Sequence, residues 1–370
     1  MEALATYTSY PLSESDWRGR FVFDLVQALA AHPDCRLRLW GPPGPRPENA
    51  QYIASSTEQD WLRTLLEQGG IAHLLRNHPL TGLATALGLM QRLRRIYRRE
   101  TDVDLVHAYW LQTALPLMGT STPLVASVLG TDMRLLSWPG MIIALRRLFR
   151  QRRTFLAPNA AWMVPILERH FGDCATVRYM PFGIADRWFA IRRNPDMNPR
   201  RWLVVLRLTK KKIGPLFEWG DGLFGGQDEL HLFGPRQEDV AIPAWVHYHG
   251  PADPVDLVNH WYPSAAGMIS LSAHDEGRPQ VLLEAMAAGL PVIVSPLDAH
   301  REIVHHGKSG FHVDNADQLA TALRTLSDPE TNRAFSQRAR SHMQNEIGTW
   351  AACAERYLDA FRTVCEASRT

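Results

Sequence analysis

The chain has 370 residues, 45% of them hydrophobic and 21% charged, with 25 Gly and 25 Pro; at roughly 100–200 residues per domain, two domains and a sizeable core are expected and a disordered chain is excluded. The 40 basic and 38 acidic residues leave a net charge of +2, which argues against a nucleic-acid binder, whose phosphate contacts need a large basic surplus. The cysteines Cys35, Cys174, Cys353 and Cys365 form no C-x2-C pair and point to a reducing compartment, with neither a disulfide framework nor a structural zinc.

Met1–Tyr10 lacks the basic start and long apolar run of a signal peptide. No run approaches the roughly 18 uninterrupted apolar residues of a membrane span. The expectation is a cytoplasmic protein, attached at most peripherally to the inner face of a membrane. Short apolar runs then alternate with helical periodicity. In the first half, strands are predicted at Ala3–Tyr7, Arg36–Trp40, Asp104–His107, Leu124–Val128, Phe155–Ala157 and Thr176–Met180, with helices at Gly19–Ala31, Gly82–Arg99 and Met141–Gln151. A polar, Pro-containing stretch, Arg192–Arg201, follows Pro181-Phe182-Gly183 and marks a boundary near residue 184. In the second half, strands are predicted at Trp202–Leu208, Glu229–Phe233, Val246–Tyr248, Ala266–Leu271 and Pro291–Ser295, and helices at Val255–Tyr262, Pro279–Ala288, Ala316–Thr325 and Trp350–Ala367. Such alternation implies an α/β fold of two parallel sheets covered by helices, with ligands outside the carboxyl ends of the strands, in a cleft between the domains.

The densest signal runs from Ser272 to Ser295, through Glu276-Gly277-Arg278-Pro279-Gln280-Val281 to Glu284 and on to Gly289 and Pro291. Pro279 suits the first position of a helix and Gly289 its stop. Glu276 then lies in the loop before the helix and Glu284 one to two turns inside it. The helix start offers N–H groups and a positive dipole end to a phosphate, and a helical carboxylate can chelate the vicinal hydroxyls of a ribose. A second cluster follows the strand at Trp202–Leu208, where Arg207 and Thr209-Lys210-Lys211-Lys212 precede Gly214. Fixed cations there would stabilise the charge that develops on a departing diphosphate.

The block Glu-Gly-x-Pro-x-Val-Leu-Leu-Glu-Ala-Met-Ala-x-Gly-x-Pro-Val resembles the E-x7-E motif of retaining GT-B fold nucleotide-sugar glycosyltransferases of the family 4, or group 1, type. The resemblance covers most of the second half and is thinner in the first. It implies two facing Rossmann-like domains: an acceptor domain over 1–184, a donor domain over 185–345, and a C-terminal helix over 346–370 crossing back to the first. It also implies metal-independent transfer from a nucleotide sugar, with UDP- or GDP-sugars foremost, to a hydroxyl acceptor such as a lipid-linked saccharide. The setting would be synthesis of bacterial cell-surface polysaccharide, lipopolysaccharide or glycolipid. By position, Glu276 falls beside the donor sugar, Glu284 at the ribose, Arg207 and Lys212 at the diphosphate, and the Gly277–Val281 backbone around the donor. Gly234 after His231-Leu-Phe and His249 before Gly250 match the strand ends near the base, and Gly19 matches a reduced glycine loop. Asp132, in Leu129-Gly-Thr-Asp132, matches a contact to a sugar or acceptor hydroxyl. The family's usual histidines are replaced by Leu129 and Tyr109, which keeps a catalytically degenerate partner subunit in view; an epimerase is the other alternative. Asp102-Val-Asp104 spells D-x-D but precedes a strand at its amino end, so a strand-entry role is expected, and no metal or other cofactor.

Two Arg-rich helices, Gln91–Arg99 and Met141–Arg153, can lie on an anionic membrane surface. Residues 1–184 carry 20 Arg, no Lys and 15 acidic residues, giving 20 − 15 = +5, and the remainder 16 Arg and 4 Lys against 23, giving 20 − 23 = −3. The near-zero total therefore averages a basic half and a mildly acidic one.

Overall fold

The computed structural model describes residues 1–13, 16, 18–195, 198–273 and 278–366. Strands β4 (Leu105–Tyr109), β5 (Leu124–Val128) and β6 (Thr154–Pro158) are buried at every position, which only a sheet covered on both faces permits. With β1 (Glu2–Thr6), β2 (Arg36–Trp40), β3 (Ala50–Tyr52) and β7 (Thr176–Val177) they form one parallel sheet in the order β3-β2-β1-β4-β5-β6-β7. A second parallel sheet, in the order β10-β9-β8-β11-β12-β13, is built from β8 (Arg200–Val205), β9 (Asp228–Phe233), β10 (Val246–Tyr248), β11 (Gly267–Ser270), β12 (Val292–Val294) and β13 (Gly310–His312). The chain divides into two units, Met1–Gly183 with the segment from Trp350 onward, and Ile184–Thr349.

Eight helices matter below: α1 (Arg20–Ala30), α2 (Ser56–Glu67), α3 (Pro79–Arg99), α4 (Met141–Phe149), α5 (Lys210–Ile213), α6 (Gln280–Ala287), α7 (Asp298–Ile303) and α8 (Trp350–Cys365). The last packs on α1, β4, β5 and β6 inside the first unit. Its buried Cys353, Ala354, Tyr357, Leu358 and Phe361 recur at helical spacing, so the hydrophobic effect places it there.

Several expected bounds shift. The strand expected at Trp202–Leu208 starts at Arg200, whose guanidinium pairs with Asp228 of β9, and ends at Val205, although the Leu206 and Leu208 N–H groups still donate to Phe233 and Pro235. Likewise the strand expected to reach Met180 stops at Val177, while Arg178 and Met180 keep bonds to Leu156 and Pro158. The helix expected at Val255–Tyr262 is broken into short pieces around a π-type turn at Leu257–Trp261, with Pro263 unable to donate within it. Helix α2 and the three-residue strands β3 and β13 are additions. Among the described residues, no helix is long and apolar enough to cross a membrane.

The two Arg-rich helices differ. Around α4, Arg146 and Arg150 pair with Asp173, and the buried Arg152 donates to the carbonyls of Leu117 and Thr120. Of these, Arg152 is buried, whereas Arg150, like Arg147 of α4, is exposed. On α3, Leu80, Leu83 and Leu87 are exposed by 86%, 55% and 57%, on the same stripe as exposed Arg94 and Arg98.

Candidate functional site

In the second unit, the turn after β8 is held by its own chemistry. Thr209 caps α5, its hydroxyl accepting the Lys212 N–H at 3.2 Å. Lys210 and Lys211 are exposed, whereas Lys212 and Arg207 are half-buried. Gly214 has φ +56°, and a Cβ there would lie 2.0 Å from the Leu271 carbonyl oxygen. Only glycine lets the turn approach the end of β11 so closely. Beyond it, the Ala273 N–H donates to the Lys211 carbonyl at 2.8 Å. The loop leaving β11 is thereby stitched to the lysine turn. Glu276 and Gly277 lie outside the described residues.

The chain re-enters description at Arg278. Pro279 is the N-cap of α6 rather than its first residue, and Gln280 begins the helix. Leu282, Leu283, Ala285 and Met286 are buried and Val281 packs partly against the same core, which leaves Glu284 half-buried on the helix flank. Its charge is felt by Tyr262: burial first, then Glu284, pushes that phenol well above its ordinary range. The far end of α6 is fixed by two arginines. Arg340 donates to the Ala288 carbonyl at 2.8 Å, and Arg193 to the Gly289 carbonyl at 2.7 Å and to Ala265 at 2.6 Å. Burial pulls Arg193 down to about 9, still charged at neutral pH. Cations at a helix C-terminus satisfy its orphan carbonyls and oppose its dipole.

Arg278 does not sit as a simple donor contact. Its side chain is 3% exposed and meets Glu302 of α7 at 3.0 Å. That pair ties the entry of α6 to α7. Nearby, the fully buried His300 places Nδ1 2.9 Å from the Ser295 carbonyl, and the Ser295 hydroxyl donates to the Ser272 carbonyl at 2.6 Å. The residues that follow β11 and β12 are therefore latched to each other and to α7. His300 reads as an ordinary helix residue in sequence; its partner is five positions away, and only the strand end brings them together.

At the ends of β9 and β10, Gly234 has φ +137°, and a Cβ would lie 1.6 Å from the Leu206 carbonyl oxygen. The His249 ring stacks on Phe233 with centroids 4.6 Å apart and lies 4.7 Å from Trp261. Its Nε2 is 2.9 Å from Nδ1 of His231. Burial pulls His231 down to about 4 and lowers His249 as well, with His247 adding to the effect on both. A neutral pair sharing one N–H···N bond follows at pH 7.

In the first unit, Asp132 is a clamp. It is 1% exposed, and its carboxylate accepts the N–H of Leu129 at 2.6 Å and of Leu111 at 3.3 Å. One side chain thus ties the carboxyl ends of β4 and β5, and burial, partly opposed by those bonds, raises its pKa to about 7. Gly19 has φ +64°, and a Cβ would meet the Tyr10 backbone nitrogen at 2.5 Å; the close approach it permits is to its own chain. His107 is wholly buried, with Nε2 2.9 Å from the Ser127 hydroxyl, which lies 2.7 Å from the Tyr357 hydroxyl of α8. Burial takes that imidazole down to about 3. Among the described residues, Trp110 is the non-glycine residue with positive φ, at 72°, directly after β4; its identity carries no turn signal. Asp102 pairs with Arg38, and Asp104 accepts the Glu2 N–H at 2.7 Å. Both carboxylates of the D-x-D serve the strand entry.

Residues 223–328 match the family model described as glycosyl transferases group 1. That match lies wholly within the second unit. A D-inositol 3-phosphate glycosyltransferase of Corynebacterium urealyticum is 28% identical over 130 residues, 34% of this chain and 30% of that protein. The corresponding Corynebacterium jeikeium protein is 31% identical over 133 residues, 35% of this chain and 31% of its own length. The match therefore spans about a third of these relatives. Solved structures align over nearly the whole chain. Sucrose-phosphate synthase from Thermosynechococcus elongatus gives a TM-score of 0.71 at 16% identity, covering 99% of this chain and 100% of that one. Anabaena HepE in complex with UDP-glucose gives 0.64 at 14% identity, covering 98% and 100%. The fold is GT-B.

Proposed function

We propose that this chain moves a sugar from a nucleotide sugar to a hydroxyl acceptor, with retention of configuration and without a metal ion. The observation that carries the reading is α6: a helix anchored at its C-terminal end by Arg193 and Arg340, with Glu284 on its half-buried flank, inside the segment that matches the group 1 model. Glu284 would take the ribose hydroxyls, Arg207 and Lys212 the diphosphate, and Glu276 the donor sugar. The Gly277–Val281 backbone would line the donor, and Gly234 and His249 would flank the base. Arg278 acts through Glu302, holding the helix entry in place. As the glycosidic bond breaks, negative charge grows on the diphosphate, where fixed cations lower the barrier. The departing oxygen then helps deprotonate a hydroxyl attacking the same face. Asp132 supports this chemistry as a positioning residue, through the strand ends it joins. UDP- or GDP-sugars are the proposed donors, in line with the UDP-glucose held by HepE. The acceptor is placed in cell-surface saccharide or glycolipid synthesis. Peripheral attachment to an anionic bilayer is assigned to α3, whose exposed leucines and arginines are available, rather than to α4.

The test is release of nucleoside diphosphate from a panel of UDP-, GDP-, ADP- and dTDP-sugars, with and without saccharide acceptors. Glu284→Ala and Arg207→Ala should each lower turnover on the order of 10²-fold. Unchanged turnover in both refutes the assignments. Binding of nucleotide sugar without turnover in the unaltered chain selects the degenerate subunit.

A further inference from the structure

A cavity of about 340 Å³ opens on the first unit between the start of α2 and the last turns of α3, a size at the lower end of small-molecule sites. We propose that this cavity binds the phosphate group of a small phosphate ester. Arg92, Arg95 and Arg99 line one side and the hydroxyl residues Ser55 and Thr57 the other. The arginines stand at i, i+3 and i+7, so one stripe of α3 presents all three.

The charges in this cavity are poorly balanced from within. Its acidic lining residue, Glu58, is spent on the capping box of α2, accepting the Ser55 N–H at 3.0 Å and the Ser55 hydroxyl at 3.1 Å. The helix end is therefore already satisfied, and the arginines are what an anion would meet. Arg99 pairs with Glu100 at 2.7 Å and donates to the Ile53 carbonyl at 3.2 Å. Arg92 lies over the Trp61 ring at 4.1 Å and donates to Gly88 at 3.1 Å, a stacked pose that holds the guanidinium plane in place. Arg95 makes no hydrogen bond or ion pair among the described residues. Arg92 and Arg95 repel one another, and burial together with that repulsion lowers the Arg92 pKa. A bound dianion would relieve both effects.

The donor set selects the anion. A carboxylate offers two coplanar oxygens, whereas a phosphate ester offers three oxygens in a tetrahedral spread, suited to guanidinium forks on one wall and the Thr57 hydroxyl on the other. A free phosphate ester and a phospholipid headgroup share this chemistry.

The experiment uses the full chain and reads binding, so its outcome is independent of transferase activity. Glycerol phosphate is titrated calorimetrically, and retention is measured on phosphatidylglycerol vesicles against phosphatidylcholine vesicles. Arg95→Gln should weaken binding about tenfold or more, while Arg324→Gln, an exposed arginine of the second unit, should leave it within about twofold. Glycerol phosphate binding with that pattern establishes a site for free esters. Vesicle retention with that pattern, and no binding of glycerol phosphate, establishes a headgroup site. Absence of binding to both probes, or equal weakening by the two substitutions, overturns the proposal. Equal melting temperatures of the unliganded variants confirm that each is folded.

Discussion

Asp132 makes a quantitative claim that pH can test. Its carboxyl is buried, and burial pushes its pKa from the ordinary aspartate value near 4 up to about 7. A raised carboxyl pKa means that the folded state holds a proton the unfolded state has released. Stability from this group is full below about pH 4 and is lost as pH climbs through 7. Integrating both titrations from pH 5 to pH 8 gives a loss on the order of 2–3 kcal/mol. The buried His107, pulled down to about 3, works in the opposite direction, gaining stability as pH rises toward the unfolded histidine value. Its contribution is common to the wild type and to Asp132→Asn, so it cancels in their difference. The amide has the same shape but faces one of the two backbone N–H donors with its own N–H, costing roughly 1–3 kcal/mol at pH 5. That deficit should shrink to near zero or below by pH 8. Urea titrations at pH 5, 6, 7 and 8, with hydrogen exchange over Leu124–Val128 isolating the first unit, measure it. Parallel pH profiles for the two proteins would refute a buried, raised carboxyl.

Gly234→Ala would press a methyl into the Leu206 carbonyl at a φ of +137°. A cost of about 3 kcal/mol or more is expected, roughly 6–12 °C in the melting of the second unit; a shift below about 1 °C would show that the strand ends can part freely. Arg278→Ala and Glu302→Ala should each cost roughly 1.5–3 kcal/mol, because each removes a charge-assisted contact of the buried Arg278 side chain. The double variant should cost clearly less than the sum. Additive losses in a denaturation cycle would mean that the two side chains act apart.

Much of the fold was legible because its signals are local. Arg36–Trp40, Leu124–Val128 and Val246–Tyr248 are strands with the bounds expected, since short apolar runs flanked by turn residues leave few alternatives. The helix stop at Gly289, with φ +84°, follows from glycine's freedom at that angle. Less legible were the elements without a pattern of their own. Strand β3 has three residues and no alternation, and is an edge strand because β2 offers it a partner. The arginines around α4 read as one basic face, and the sequence does not say that Arg146 meets Asp173 or that Arg152 turns inward to the Leu117 and Thr120 carbonyls.

For the candidate site the division is similar. The sequence by itself determined two covered parallel sheets, the strand–loop–helix that carries Glu284, and a lysine turn after β8, because periodicity, caps and glycines act within a few residues. Tertiary structure decided which of three adjacent lysines is partly buried, that Arg278 belongs to Glu302, and that Asp132 spends its carboxylate on two strand ends. Those outcomes depend on burial and on partners brought together by the sheet. A side chain's chemistry is set by what desolvates and pairs with it, and that is a property of the packed fold.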